Sequence, residues 1–281
     1  MILQYGLIFL LMLLWACDDE DSLLPQKHES QQATTLTPFV AEPGKQVAFL
    51  NQSTAAPFGF YLYTPDVYDS TASEIYPLLI HLHGGGARGN SATNPEVLKQ
   101  LLYDGPPHLI DKGLWAPSQP ILVASPQSST PWDTDLLHEF IGYLIDKLQI
   151  DTKRIYMTGF SMGANGCFNY IGDKAEASYA VAIVPIAGWG NQSDADKFKN
   201  IGVWAFHGKA DAIISHTSSI QMINAINSAN PSTEAKLSIY PHVGHNSWAR
   251  TYNGSGQGTT DPAYDPFDES IYDWLYSFEK P

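Results

Sequence analysis

Residues 159–163 read Gly-Phe-Ser-Met-Gly, directly after the apolar run Arg154–Thr158 and before a stretch with helical patterning. In that position a G-x-S-x-G segment puts Ser161 on a sharp strand-to-helix turn, with its hydroxyl pushed clear of the sheet. The flanking glycines suit a turn where a Cβ would collide with the neighbouring strand or helix. A serine hydroxyl at its normal acidity is a poor nucleophile, so an imidazole must take its proton as the oxygen attacks. A carboxylate must hold that imidazole in the right tautomer and stabilise the imidazolium that forms. Both groups follow, each just past a strand-like run. Asp211 closes His207-Gly-Lys-Ala-Asp211 after Val203–Phe206, and His245 lies in Gly244-His245-Asn246 after Leu237–Tyr240. Ser161, Asp211 and His245 are the candidate nucleophile, acid and base.

Other residues compete for these roles. Asp194 and Asp196 are alternative acids, but they follow the strand before the one that bears His207-Gly208. His242 is the nearest rival base. His28 lies far upstream, and His138 sits on a helical stretch away from any strand end. His83 and His207 precede glycines at strand ends and read as packing or hydrogen-bonding residues of those turns.

The elements that must position this chemistry are legible as an alternation. Short apolar, β-branched or aromatic runs occur at Phe58–Tyr63, Leu78–His83, Ile121–Ala124, Arg154–Thr158, Ala180–Pro185, Val203–His207 and Leu237–Tyr240. Helical patterns separate them. Leu136, Leu137, Phe140, Ile141, Leu144, Ile145 and Leu148 make one apolar stripe over 134–148, with Asp133 or Thr134 able to cap its start. Further helices are expected over Ser215–Ala229 and Phe267–Phe278. This alternation predicts an α/β fold, a mostly parallel sheet with helices on both faces. No insertion is long enough to form a separate lid domain.

Several segments carry a family resemblance in order across about residues 45–280: Leu82-His83-Gly84-Gly85-Gly86, Ser125-Pro126-Gln127, Arg154–Gly163, His207-Gly208 with Asp211, and Gly244-His-Asn-Ser-Trp248. The chain resembles the α/β-hydrolase serine esterases, in particular feruloyl and acetylxylan esterases, polyhydroxyalkanoate depolymerases and the bacterial "predicted peptidase" carboxylesterases. The resemblance implies an α/β-hydrolase fold, in which the Ser–Asp–His chain order is the one expected. It favours His245 over His242 as base. It implies an oxyanion hole built from the backbone N–H groups of Met162, the residue after the nucleophile, and of Gly85 in the loop after the third strand. It implies ester substrates, feruloyl or acetyl groups on polysaccharide, with no cofactor and no metal. Two other readings stand beside it: a serine peptidase of the prolyl-oligopeptidase type, and a surface binding protein on a non-catalytic hydrolase scaffold.

The chain has 281 residues, enough for one large α/β domain. Its net charge of −14 argues against nucleic acid as a partner, because phosphate repels such a surface. No segment calls for an obligate protein partner. Residues 6–16 are continuously apolar, too short for a bilayer, which needs about 20 residues, and suited to the core of a signal peptide. They end Leu14-Trp15-Ala16-Cys17, similar to a lipoprotein cleavage site. The expected organisation is a signal peptide of lipoprotein type over 1–16, a disordered acidic tether over 17–38 and a catalytic domain over 39–281. Cys17 would carry the lipid that holds the exported enzyme at the bacterial envelope. Cys167 would then be a lone buried thiol.

Trp132, Trp189 and Trp248 lie on segments expected at the carboxyl rim of the sheet, where ligands bind in open α/β folds. One or more could line an acyl or sugar pocket, although for any single one the favoured reading is core packing. Asp261, Asp265, Asp268 and Glu269 cluster near the C-terminus. They read as a solvated loop and a helix start rather than a calcium loop, whose spacing they lack.

Overall fold

Strands buried on both faces read as near-continuous apolar runs, and the central runs of this chain do, with His81, Thr158 and His207 as buried polar exceptions. In β3 (Tyr76–Leu82), Leu78, Ile80 and Leu82 pack into one hydrophobic layer while Leu79 packs into the other. The same alternation holds in β5 (Ile150–Phe160), with Ile155 and Met157 on one side and Tyr156 and Phe160 on the other. It recurs in β7 (Gly202–Gly208), where Val203 and Ala205 oppose Trp204 and Phe206. The computed structural model describes residues 39–281. The segments expected as signal peptide and tether, with Cys17, lie outside the described residues.

Eight strands form an open sheet in the order β1-β2-β4-β3-β5-β6-β7-β8. Here β1 is Gln46–Phe49, β2 Gly59–Tyr63, β4 Leu122–Gln127, β6 Ala182–Ile186 and β8 Lys236–Tyr240. The pairs β1/β2 and β2/β4 are antiparallel, and all pairs from β4 to β8 are parallel. The sheet is mostly parallel, as the alternation predicts, and has the α/β-hydrolase arrangement that the resemblance implies; the edge strand β1 is the one strand without an apolar run of its own in the sequence.

Helices α2 (Thr134–Lys147), α3 (Met162–Lys174) and α4 (Thr217–Ser228) cover one face. Helices α1 (Gly105–Asp111), α5 (Trp248–Tyr252) and α6 (Ile271–Tyr276) cover the other. Within α2, Leu137, Phe140, Ile141 and Leu144 are fully buried, while Leu136 at the edge of the stripe is exposed. The Asp133 carboxylate caps its start, accepting from the backbone N–H groups of Asp135 (2.9 Å) and Leu136 (3.0 Å). The C-terminal helix is shorter than its apolar pattern implied, because Phe267 packs into the core from a loop ahead of it.

After β3 the chain crosses to β4 on one side, and then returns to β5 on the other. The loops after β3 and β5 therefore leave neighbouring strands in opposite directions and open a crevice at the carboxyl edge.

Candidate active site

Ser161 sits at the head of that crevice, between β5 and α3, with φ 54° and ψ −118°. A non-glycine residue there costs on the order of 1–3 kcal/mol and persists only when its surroundings hold it. They do. The Ser161 N–H donates to the Ile186 carbonyl of β6 at 2.9 Å, and the Ser161 carbonyl accepts from the Asn165 N–H at 3.1 Å. The flanking glycines are dictated by contact. A Cβ on Gly163 would fall on the Leu82 carbonyl, and one on Gly159 would lie 2.6 Å from the Gly163 backbone. The elbow is thus wedged against β3, and no side chain fits at either position.

The loops after β7 and β8 bring the other two residues to Ser161. His245 Nε2 lies 3.0 Å from Ser161 Oγ, and its Nδ1 lies 2.7 Å from Asp211 Oδ2. The Asp211 side chain is fully buried and that of His245 is 21% exposed. With Nδ1–H donating to the carboxylate, Nε2 is left as the acceptor for the serine hydroxyl. Asp211 Oδ1 accepts from the backbone N–H groups of Ile213 (2.8 Å) and Ile214 (3.0 Å). Burial alone would raise the Asp211 pKa. The hydrogen bonds from His245, Ile214 and Ile213 outweigh it and hold the carboxyl below its usual range.

A second imidazole also reaches this carboxylate. His207 Nε2 donates to Asp211 Oδ2 (3.1 Å) and to the Ile214 carbonyl (3.0 Å). Its Nδ1 lies 2.8 Å from Ser219 Oγ on α4. Burial lowers the His207 pKa, against the raising effects of Ile214 and Asp211. His207 was legible as a hydrogen-bonding residue of its turn. Its grip on Asp211 was not, because the i,i+4 spacing has meaning only once the turn after β7 has folded.

The oxyanion candidates flank the same crevice. Met162 opens α3, where a first-turn N–H has no partner within the helix. Gly85 opens the 3-10 helix Gly85–Ala87, and a Cβ there would meet nothing within 4 Å. His83 ties this loop down. Its Nδ1–H donates to the Gly84 carbonyl (2.7 Å) and its Nε2 accepts from the Ser128 N–H (3.0 Å). Burial pushes its pKa down to about 4, so the ring is neutral at neutral pH.

A cavity of about 450 Å³ opens beside Ser161, His245 and Gly84–Gly86, and runs between Phe160, Trp248 and the 3-10 helix Pro95–Tyr103. Of the three tryptophans singled out, Trp248 lines it, stacked on Phe160 at 4.4 Å. Trp132 is core, its indole N–H donating to the His83 carbonyl at 3.2 Å. Trp189 is 38% exposed and lies outside the cavity lining. The Trp248 indole donates to Asp104 Oδ1 at 2.8 Å, a contact with no signature in the sequence.

The remaining rivals are elsewhere. Asp194 pairs with Lys197 at 2.8 Å, and Asp196 and His242 are exposed. Cys167 is a buried free thiol on α3. In the C-terminal acidic stretch, Asp261 pairs with Lys209 at 2.8 Å and Asp265 accepts from the Leu237 N–H at 2.7 Å. Among the described residues no group of three or more His, Cys, Asp or Glu could hold a metal ion.

The sequence matches the Dienelactone hydrolase family over residues 50–266, and the chain belongs to that family. It is an enzyme of the serine hydrolase class. No curated protein matches it. Among solved structures, a thermostable esterase is 21% identical with a TM-score of 0.58, covering 84% of this chain; the chain spans only 63% of that protein's length. The feruloyl esterase module from Clostridium thermocellum, solved with sinapinate, is 17% identical with a TM-score of 0.53, covering 83% of this chain and 87% of its own. Porphyromonas gingivalis dipeptidyl peptidase 4 is 13% identical with a TM-score of 0.58, covering 83% of this chain and 35% of its own. At these identities the likeness is one of fold.

Proposed function

We propose that this protein is a carboxylic-ester hydrolase that works through an acyl-enzyme on Ser161. The observation that carries this reading is the continuous relay from Ser161 Oγ to His245 Nε2 and from His245 Nδ1 to a buried Asp211 carboxylate. His245 takes the hydroxyl proton as Oγ attacks the ester carbonyl, and Asp211 stabilises the imidazolium. The developing oxyanion turns toward the N–H groups of Met162 and Gly85. His245 then protonates the leaving alcohol, and water activated by the same nitrogen releases the acid.

Feruloyl and acetyl esters of polysaccharide are the substrates this reading favours. The feruloyl esterase module among the structural neighbours and a cavity walled by Phe160 and Trp248 support it. A fluorophosphonate probe should tag wild-type protein and leave Ser161→Ala untagged, and a panel of p-nitrophenyl and methyl hydroxycinnamate esters identifies the acyl group. Tagging of Ser161→Ala equal to wild type would remove the serine from its role.

The Leu14-Trp15-Ala16-Cys17 segment supports export, with a lipid on Cys17 anchoring the domain at the envelope. Palmitate labelling of wild type and release of soluble, active Cys17→Ser protein are the expected results. A wild-type protein that takes up no palmitate would count against the anchor.

A further inference from the structure

The catalytic cavity and a larger neighbour of about 630 Å³ share Tyr103 and Asp104 in their linings. The partition between them is a single layer of residues. Trp248 lines the catalytic cavity, while Ala249, the next residue, lines the neighbour. His81 lines the catalytic cavity, while Gly105 and Tyr252 line the neighbour. A Cβ on Gly105 would fall 2.4 Å from His81 Nε2, and the Tyr252 ring meets the imidazole edge-on at 5.8 Å. The members of this layer are held by different forces. His81 is a buried residue of β3, and Gly105 contributes backbone only, at φ 72°. Both are fixed by the fold. Trp248 is a half-buried side chain whose place rests on contacts. It stacks on Phe160 at 4.4 Å, meets His245 edge-on at 5.2 Å, and donates its indole N–H to Asp104 Oδ1 at 2.8 Å. Stacked rings can slide and turn. An indole has one donor, so the hydrogen bond is what fixes the direction of the ring.

Asp104 is an expensive residue to keep here. Among the described residues the Trp248 indole is the one side-chain donor to its carboxylate. Burial raises the Asp104 pKa, against the Trp248 hydrogen bond and the His108 charge. A carboxylate held partly out of water by one neutral donor is poorly compensated. What it secures is the position of the wall. Beyond that wall, Leu109, Leu114, Trp115, Phe267 and Ile271 make the neighbouring cavity largely apolar, and no Lys or Arg lines it. An aliphatic chain that passed Trp248 would find room and apolar contacts there. The acyl group is the half of an ester that stays bonded to Ser161 Oγ after the alcohol has gone. The alcohol takes its proton from His245 Nε2 and needs a way out past the exposed part of that ring. The retained half needs a recess, and the space between Phe160, Trp248 and the buried Leu101 is one.

We propose that Trp248, latched by Asp104, is the residue that ends the acyl recess and excludes long aliphatic acyl chains from the cavity behind it. The assignment rests on the esterase reading and adds to it a limit on acyl length. Its test compares p-nitrophenyl butyrate with p-nitrophenyl decanoate, which share a leaving group. Wild type should favour butyrate in kcat/KM. In Trp248→Ala the decanoate-to-butyrate ratio should rise by about tenfold or more, since each methylene newly buried is worth about fourfold. Asp104→Ala keeps the indole and removes its latch, and should raise the ratio by about threefold or more. Asp104→Asn retains an oxygen for the indole N–H, and its ratio should stay within about twofold of wild type. The ratio is the readout because Trp248 also touches His245, so absolute rates fall whatever the chain length. An unchanged ratio in Trp248→Ala would overturn the proposal. So would an equal gain across acetate esters of lengthening alcohols, which would put the alcohol in the recess. A ratio raised as much by Asp104→Asn as by Asp104→Ala would remove the latch. A Ser161→Ala background, where no ester is turned over, reads the recess alone. Calorimetric titration with decanoate should show binding about tenfold tighter or more when Trp248→Ala is added. That gain, in a protein whose wild type hydrolyses no ester, would keep the wall and defeat the esterase reading. Ester hydrolysis by wild type without that gain would defeat the wall and keep the reading.

Discussion

On one side of Ser161, strand β3 and the loop after it carry His81 and His83. On the other, β7 carries His207 and the loop after β8 carries His245. The residue type and the sheet edge are the same, and the chemistry differs. His83 has both nitrogens engaged by the backbone, and His81 has neither nitrogen engaged at all. Burial holds both neutral, His81 with its pKa near 3 and His83 with its pKa near 4. The second pair shares one carboxylate, with His207 and His245 both donating to Asp211 Oδ2. Only His245 keeps part of its ring open and turns a free nitrogen to a hydroxyl. An imidazole becomes a base here by having one nitrogen fixed by charge and the other left for the reaction. Being at the rim is insufficient.

The largest effects should fall on the carboxylate-bound side. Ser161→Ala or His245→Ala should each lower kcat by roughly 10⁶, and the double variant should be little worse, because the members of such a relay fail as a unit. Unfolding temperature should hold in Ser161→Ala, since no core atom is removed. Near wild-type ester hydrolysis by either variant would end the comparison in favour of another nucleophile or base. Asp211→Asn comes next. It keeps the shape, but an amide that presents N–H to His245 Nδ1 selects the wrong tautomer, with an expected loss of about 10⁴ in kcat. The same substitution at Asp194 or Asp196 should cost little, because neither approaches His245. The reverse pattern would mean that the acid has been misassigned.

A smaller effect tests His207 as a positioning residue. A hydrogen bond to a charged group is worth about 1.5–3 kcal/mol. His207→Leu should therefore lower kcat/KM by roughly 10- to 100-fold, and His207→Gln, which can still donate, should recover most of it. The pH profile separates positioning from general damage. With one donor fewer on Oδ2, Asp211 grips the His245 proton more tightly, so the acid-side midpoint of kcat/KM should move to higher pH. A loss of rate with an unmoved midpoint, and no recovery in His207→Gln, would leave His207 a packing residue.

How much of this was written in the sequence depends on the range of the signal. Strands such as β3, β5 and β7 carry largely apolar runs, and the elbow carries its glycines because backbone contact forbids anything larger, so all are visible locally. The edge strand β1, Gln-Val-Ala-Phe, has a single fully buried residue and no run to notice. Helix α1 begins Gly105-Pro106-Pro107, a composition that reads as a turn, and α5 is only Trp248–Tyr252. Of these hidden elements, α5 supplies Trp248, and the Asp104 that holds its indole immediately precedes α1. Chain order gave the identities of the catalytic candidates. The separation of 84 positions from Ser161 to His245 gave no distance, and the partnership of His207 with Asp211 waited on a loop conformation.

The gentlest test addresses the β3 side, where the expected readout is stability rather than rate. An unfolded histidine titrates near 6.5, whereas folded His81 and His83 stay neutral down to about 3 and about 4. Between those values the unfolded chain binds protons that the folded chain refuses. Stability must therefore rise with pH across that window and fall as the solution is acidified from 7 toward 4. Asp211 adds to the loss only below the ordinary carboxylate range, since its folded pKa is depressed. For His81 the share is on the order of 3 kcal/mol by pH 4, at about 1.4 kcal/mol for each pH unit below the unfolded value. His81→Leu removes both that share and a buried imidazole with no hydrogen-bond partner. The variant should unfold at higher denaturant than wild type at pH 4, with a flatter dependence on pH and a smaller gain at pH 7. Denaturant midpoints measured at pH 4, 5.5 and 7 decide the matter. If His81→Leu retains the full wild-type slope, then His81 takes up a proton in the folded protein, and the β3 histidines are not the inert half of the comparison.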